Sequence, residues 1–397
     1  MLTSLALILL LGMVLGSFFQ KLRLPSLLGM LFTGILLGPY ALNLMDASLL
    51  SISPDLRQLA LVIILTRAGL SLDLDDLKRV GRPALLMCFL PACFEIAGIM
   101  LLAPLFLHIS LLEAAIMGSV VAAVSPAVVV PRMLTLMEEG YGRQKSIPQL
   151  IMAGASVDDV FVIVLFTSFT ALANGGEISP LKLIEIPTAI LLGIAGGSAL
   201  GFGLSLFFRK IHIRDSAKVI ILLSVAFLLL ATEKQLESLL PFSGLLAVMA
   251  VGASLLRFSP STARRLSTKF SKLWMAAEIM LFALVGATVN LPYALSAGGS
   301  AILLLLLALL FRLAGVFFCL LHTPLTQKER LFCAVAYLPK ATVQAAIGGI
   351  PLAMGLPCGS LVLTVAVLSI LITAPLGAVG IDWLSPKCLS KETTVTQ

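Results

Sequence analysis

The hydrophobic positions of this chain come in long runs separated by brief polar or Pro/Gly-rich breaks. A window of about 19 residues predicts 13 spanning segments, at about 2–20, 25–44, 55–72, 82–107, 111–137, 148–174, 182–208, 216–233, 240–257, 270–290, 297–322, 328–354 and 357–383. About 20 apolar residues carry one helix across a bilayer core, so the predicted fold class is an all-α polytopic membrane protein. The first run, from Leu2 to Phe19, is followed rather than preceded by its basic residues, Lys21 and Arg23. It reads as a retained helix and not as a signal peptide.

Composition agrees with the pattern: 59% of the 397 residues are hydrophobic, 12% are charged, and the mean hydropathy is +1.09. That balance excludes a soluble enzyme, a nucleic-acid binder and a disordered chain. The net charge of +7 therefore reads as topology. Twenty of the 27 lysines and arginines fall in the loops after odd-numbered spans or in the C-terminal tail, including Lys78, Arg79, Arg143, Lys145, Lys328, Arg330, Lys387 and Lys391. Only Arg57, Lys182 and Lys234 fall in the even-numbered loops. This alternation puts the N-terminus outside and the C-terminus in the cytoplasm, in a bacterial inner membrane. Between spans 9 and 10, Arg257, Arg264, Arg265, Lys269 and Lys272 form a basic loop that sets topology and meets anionic lipid. The six cysteines show no CxxC or secreted-type spacing, and neither a disulfide framework nor a metal site follows from them.

The two halves of the chain echo one another. Glu95-Ile-Ala-Gly98 in span 4 matches Arg312-Leu-Ala-Gly315 in span 11. Arg67-Ala-Gly-Leu-Ser-Leu72 ends span 3, as Gly286-Ala-Thr-Val-Asn-Leu291 ends span 10. Ser125-Pro126 interrupts span 5, and Pro339-Lys340 interrupts span 12. The copies lie seven helices apart, which inverts their orientation and predicts a five-helix inverted repeat, spans 2–6 against 9–13, with two crossed broken helices. Proline removes a backbone donor and clashes with the preceding turn, so Pro126 and Pro339 should each break a helix at mid-membrane and free carbonyls there. Kinks of this kind also occur in membrane helices without functional meaning.

Charged side chains at mid-bilayer cost about 2.5–3.5 kcal/mol each even on the lenient insertion scale, so each calls for a reason. Glu95, Asp158, Asp159, Arg312 and Lys340 qualify by depth. Consecutive helix positions are about 100° apart, so Asp158 and Asp159 cannot point the same way. One can face a water-filled cavity while the other faces a fixed cation. A carboxylate in a partly desolvated cavity has its pKa raised toward the cellular range, and Na⁺ or Li⁺ prefers oxygen ligands, so one oxygen can hold either a proton or a metal ion. Competition for that oxygen is an antiport mechanism. Ser125 and its freed backbone are candidate neutral ligands, and Lys340 is a candidate for offsetting the negative end of a half-helix. Arg312 stays charged under biological conditions and acts only as a counter-charge. It pairs with Glu95 or with Asp158, and the sequence does not choose between them. Glu278 and Arg67 lie nearer helix ends, where long side chains snorkel, and His108, His212 and His322 all sit by loops.

Val124-Ser-Pro-Ala-Val-Val-Val-Pro131, Ser156-Val-Asp-Asp159 and Leu338-Pro-Lys-Ala-Thr-Val-Gln-Ala-Ala346, in that order, resemble the cation/proton antiporter superfamily, in particular its two-aspartate sodium/hydrogen antiporter branch. The resemblance covers spans 2–13. It implies a homodimer in membrane lipid, exchange of Na⁺ or Li⁺ for H⁺ without a cofactor, and an elevator-like movement of a core domain (about 55–174 and 270–383) against a dimerisation scaffold (about 2–44 and 182–257). It also implies a cation- and proton-binding set of Asp159, its partner Asp158, Ser125 and Ser156. The best-known two-aspartate bacterial antiporters carry a lysine where this chain has Arg312, so the stoichiometry stays open. Two protons move per cation if Asp158 titrates with Asp159, and one if Asp158 is locked to Arg312. Thr288 stands where some relatives carry an acid, which leaves the partner of Lys340 unassigned.

The competing reading is a sodium-coupled symporter of an organic anion with the bile-acid-transporter-like fold, which also uses crossed broken helices but has no need of adjacent midplane aspartates. A channel would call for a filter motif. An intramembrane protease would call for catalytic aspartates on two separate helices, a GxSxG-like serine or HExxH; the adjacent Asp pair, with no such motif, speaks against it.

Overall fold

A bilayer core offers no water to backbone N–H and C=O groups, so a chain of apolar runs must satisfy them internally. Accordingly, every regular element among the described residues is helical. The structure is a computed structural model that describes the chain except residues 72–80, 174–179, 212, 237–241, 290 and 392–397. Leu72, Lys78, Arg79, His212 and Asn290 thus lie outside the described residues, as do the side chains of Ser156, Lys182 and Lys234.

Chain order runs α1 (Leu2–Lys21), α2 (Ser26–Leu37), α3 (Ser53–Ser71), α4 (Arg82–Met87), α5 (Leu90–Leu107), α6 (Leu111–Val121), α7 (Pro126–Glu138) and α8 (Ile147–Ala173). It continues with α9 (Pro180–Lys210), α10 (Asp215–Leu236), α11 (Gly244–Phe258), α12 (Pro260–Ala287), α13 (Leu291–Cys319), α14 (Gln327–Ala336), α15 (Thr342–Ile347), α16 (Ile350–Ala353) and α17 (Gly359–Cys388). Among the described residues nine segments are long and apolar enough to cross a membrane, fewer than the 13 expected. The other expected spans fall on helices that are short, as α2, α11 and the α15–α16 pair are, or polar, as α3 is with Asp55, Arg57 and Arg67. Expected span 4 is two helices, α4 and α5, with Pro91 in the first turn of the second. Span 12 is interrupted twice, at 337–341 and at Gly348 and Gly349.

Two of the short helices share a start signal. Ser110 caps α6 and Thr326 caps α14, each hydroxyl accepting the N–H of a glutamate three residues on, at 3.3 Å in both. Glu113 and Glu329 reach back to the capping N–H, at 2.8 and 2.6 Å. These reciprocal boxes satisfy two orphan donors per helix. From Ser110 to Ser125, which caps α7, is 15 residues, the same as from Thr326 to Ala341, which caps α15.

Contacts divide the chain into two units: Met1–Pro54, Asp75–Ala173 and Phe282–Gln397 form one, and Asp55–Leu74 and Asn174–Leu281 the other. Membrane helices gain little from the hydrophobic effect when they meet, so small residues that admit close backbone approach decide where they pack. In the second unit Gly193, Gly197 and Gly201, spaced by four, lay one side of α9 on Ser243, Ala247 and Val251. Gly252 of α11 meets Gly69 of α3 so closely that a Cβ would lie 2.7 Å from the Gly69 carbonyl carbon. In the first unit Gly34 of α2 and Gly286 of α12 pack the same way, against the carbonyls of Ala283 and Leu31. Also in the first unit, Gly315 lets α13 approach α5, a Cβ there falling 2.8 Å from Pro91 Cα, while Gly98 receives Phe311.

Overpacking a site of this kind costs about 1–3 kcal/mol and more where the obstacle is backbone. Gly34→Val is therefore expected to lower the melting temperature of the detergent-solubilised protein, whereas Gly203→Ala, which meets nothing within 4 Å, leaves it unchanged. Thermal melting followed by size-exclusion chromatography checks both.

Candidate functional site

The site grows from the two helix breaks. α6 ends at Val121, and α7 starts at Pro126, whose missing N–H suits a first helical position. α14 ends at Ala336 and α15 starts at Thr342, with Pro339 between them. Each break frees C-terminal carbonyls that have no partner in their own helix. The breaks meet directly: the Ser125 N–H donates to the Pro339 carbonyl at 2.7 Å.

Arg312 of α13, wholly buried, serves both ends. Its Nε donates to the Tyr337 carbonyl at 2.6 Å, and its Nη1 donates to the Ala122 carbonyl; these are the C-cap residues that follow the two half-helices. The same guanidinium reaches Glu95 Oε2 from Nη1 at 2.9 Å and Asp158 Oδ2 from Nη2 at 3.1 Å. Its centre lies 5.4 Å from the Tyr337 ring, in cation–π range. The choice that the sequence left open is thus resolved as both partners. Asp158 Oδ2 also accepts the Val124 N–H at 2.8 Å, which ties α8 to the first break.

Lys340 finds its partner in Glu95, Nζ to Oε2 at 2.7 Å, and its backbone N–H donates to Thr373 Oγ1 of α17 at 2.9 Å. The expectation that Lys340 offsets a half-helix end is corrected: Arg312 takes those carbonyls, because its planar fork presents several donors in fixed directions, whereas an ammonium is a point charge. Thr288, the neutral residue at the alternative position, turns its hydroxyl to the Val285 carbonyl.

The structure therefore brings Glu95, Asp158, Arg312 and Lys340 into one buried cluster, with Pro126 and Pro339 at the breaks beside it. Asp159, the next residue on α8, is half-buried and makes no ion pair among the described residues. Among the described residues its Oδ1 is enclosed without a hydrogen-bond partner, as are Asp158 Oδ1, Glu95 Oε1 and Ser125 Oγ. Ser156 lies one turn before Asp159 on α8, and its side chain is outside the described residues. Sequence reasoning missed Tyr337, Thr373 and Gln344. The Gln344 amide donates to the Val121 carbonyl at 3.0 Å and to the Ala123 carbonyl at 2.9 Å. None of the three carries a charge, and depth of charge was the filter. In the second unit Arg67 and Glu278 lie within electrostatic reach of one another.

A cluster that offers fixed cations, spare buried carboxyl oxygens and freed backbone at a helix crossing suits the handling of a small cation or a proton. Comparison with known proteins agrees: residues 5–386 match the model of a family described as sodium/hydrogen exchanger, transmembrane. The chain belongs to the sodium/hydrogen exchanger family. Its members are integral membrane transporters and not enzymes. Among relatives, the chain is 34% identical over 381 residues to human sodium/hydrogen exchanger 9B2, covering 93% of this chain and 70% of that one. It is 31% identical over 385 residues to human sodium/hydrogen exchanger 9B1, covering 93% and 73%. The fold matches the structure of the sodium proton antiporter MjNhaP1 from Methanocaldococcus jannaschii at pH 8, with a TM-score of 0.85 over 98% of both chains at 20% identity. The exchanger family gives no support to the organic-anion symporter reading.

Breaking a buried ion network by removing one member costs about 3–5 kcal/mol, because the other members stay behind uncompensated. Arg312→Met strands two carboxylates and two carbonyls, and is expected to yield no monodisperse protein. Glu95→Gln leaves a neutral acceptor between Arg312 and Lys340; it is expected to lower the melting temperature while the folded fraction keeps its transport. Melting curves and liposome transport of the two variants check this.

Proposed function

We propose that this chain exchanges Na⁺ or Li⁺ for H⁺ by alternating access, the cation and the proton competing for Asp159. The observation that carries the reading is the charge balance of the buried cluster. Arg312 and Lys340 are two fixed cations, and Glu95 and Asp158 are the two carboxylates that meet them. Asp159 is the acid left over. A carboxylate in a partly desolvated place with no fixed counter-charge is neutralised by a proton or by a small hard cation, and the two exclude one another at the same oxygen. Asp158 Oδ1 and Ser125 Oγ, buried and without hydrogen-bond partners, support a ligand set completed by neutral and shared oxygens. Ser156 joins that set on its sequence position.

The two contacts on Asp158 Oδ2, from Arg312 and from the Val124 N–H, favour an aspartate that stays ionised through the cycle. One proton then leaves for each cation that enters, and exchange is electroneutral. Support for an inverted repeat comes from the two capping boxes, which open broken helices of equal spacing, and from the Gly34–Gly286 and Gly69–Gly252 contacts, which relate spans 2 and 10 as they relate 9 and 3. An extramembrane C-terminus on the cytoplasmic side accords with the basic residues gathered beside it. Gly142 N–H donates to the Ser390 carbonyl, Lys391 lies over Tyr141, and Lys145 pairs with Glu329 at 2.7 Å. The homodimer, the elevator partition into core and scaffold, and a bacterial inner membrane rest on the resemblance and the loop charges. The contact-defined units divide the chain elsewhere, joining 1–54 to the site-bearing unit, and the two exchanger relatives named above are human.

The test is reconstitution in liposomes that hold a pH-sensitive dye and a fixed pH gradient. Addition of NaCl or LiCl is expected to move protons at a rate that a valinomycin voltage clamp leaves unchanged, and Asp159→Asn is expected to abolish the signal. Exchange that persists in Asp159→Asn, or a folded parent protein that moves no protons with any cation, overturns the reading. A rate that follows the voltage refutes the one-for-one stoichiometry alone.

A further inference from the structure

Within 121–125 five polar backbone groups are held by groups from other elements. Arg312 takes the Ala122 carbonyl, Asp158 takes the Val124 N–H, and the Pro339 carbonyl takes the Ser125 N–H. The carbonyls of Val121 and Ala123 are both held by one neutral side chain, Gln344 on α15, through its Nε2. Gln344 is wholly buried, and its Oε1 has no hydrogen-bond partner. A carboxamide has two N–H donors on one nitrogen, and here both are spent on carbonyls two residues apart. That geometry fixes the direction of the chain immediately before Ser125.

We propose that Gln344 is a positioning residue for the exchange reaction: it clamps the unwound segment 121–125 and thereby fixes where Ser125 and Asp158 present their oxygens to the cation. The clamp also occupies two carbonyls that would otherwise be free to act as hard oxygen ligands. Cation affinity and choice depend on the number and placement of such oxygens, so the amide limits the ligand set to the intended atoms. Glutamine suits this task because it holds the carbonyls without adding a charge to a cluster that is already balanced. A lysine there would compete with the cation, and an ionised glutamate would repel the carbonyls and lose the donors.

The inference rests on the exchange reading above, and its test separates the two. Gln344→Met keeps the length of the side chain and removes the donors. In the liposome assay it is expected to raise the half-saturating Na⁺ concentration at least about tenfold while the maximal rate changes less, and to alter the ratio of Na⁺ to Li⁺ half-saturation. Gln344→Glu donates only when protonated. The charged groups on the helices packed against α15 are Asp158 and Asp159 on α8, Glu113 at the far end of α6, and Asp382 and Lys387 toward the end of α17. Burial and the two aspartates favour the protonated form of the new acid, while Arg312, bonded to the intervening Ala122 carbonyl, and Lys340, four residues before position 344, favour its ionisation and draw the titration into the accessible pH range. The Glu variant is therefore expected to work at acidic pH and to lose Na⁺ affinity as pH rises, across a range where the parent does not. A residue that only helped the chain to fold would change the yield of both variants, and leave half-saturation and pH profile of the folded fraction at parent values. That outcome, with parent exchange intact and lost in Asp159→Asn, overturns the positioning role and leaves the exchange reading standing. Absence of exchange in the folded parent overturns both.

Discussion

Everything around the site depends on one buried guanidinium. Arg312 is at once the counter-ion of Glu95 and Asp158 and the cap of two half-helices. In a low-dielectric interior each of those four acceptors is costly without a donor, and a lone cation would be costlier still. The arrangement holds because the costs cancel in one place. Arginine is suited to it by shape as well as by charge: its rigid fork addresses four acceptors on four elements simultaneously, which the three rotatable donors of a lysine cannot do with fixed direction. The glycine contacts between α5 and α13 are the precondition, since without Gly98 and Gly315 the backbones would stand too far apart for the pair to close.

Given that hub, the remaining acids divide into those with a fixed counter-charge and one without. Glu95 sits between two cations, Arg312 at 2.9 Å and Lys340 at 2.7 Å, and has no reason to release either. Asp158 is anchored through one oxygen and retains the other. Among the described residues Asp159 makes no ion pair, and it is half-buried where Glu95 and Asp158 are sealed. On the exchange reading proposed above, one residue needs both properties: enough desolvation for a proton to compete with a metal ion, and enough access for either to arrive.

Much of this was legible in the sequence. The matched Glu95-Ile-Ala-Gly98 and Arg312-Leu-Ala-Gly315 carry the ion pair and the close approach that makes it possible, and the two Pro-containing breaks mark the crossing. The partner of Lys340 was not legible, because the depth of a residue says nothing of the direction in which its side chain leaves the helix. Gln344 escaped because a neutral amide costs less to bury than a charge and raises no flag, although it sits in the same short segment as Lys340. The half-helix starts were available as Ser110-x-x-Glu113 and Thr326-x-x-Glu329, a local hydrogen-bonding signal that hydropathy averages away. The breaks within span 4 and after Ile347 were hidden for the same reason. Division of the chain into contact units was out of reach, since it depends on which glycine meets which backbone across distant spans.

The hydrogen bonds of the crossing also constrain how access can alternate. The carbonyls of Val121, Ala122, Ala123, Tyr337 and Pro339 each find a donor outside their own helix, from Gln344, Arg312 or the Ser125 N–H. Three of these bonds run directly between the two broken helices, and Arg312 on α13 could follow only one of them, so pulling them apart would strip four groups of partners, at about 1–3 kcal/mol for each one left buried. Four such losses are comparable with the whole stability of an ordinary domain, which is about 5–15 kcal/mol. A cycle that opened the site by separating the half-helices would thus be nearly as demanding as unfolding it. Movement of the crossing as one body leaves every one of those bonds in place, so on the exchange reading proposed above the physics of the crossing favours a carrier whose site travels intact.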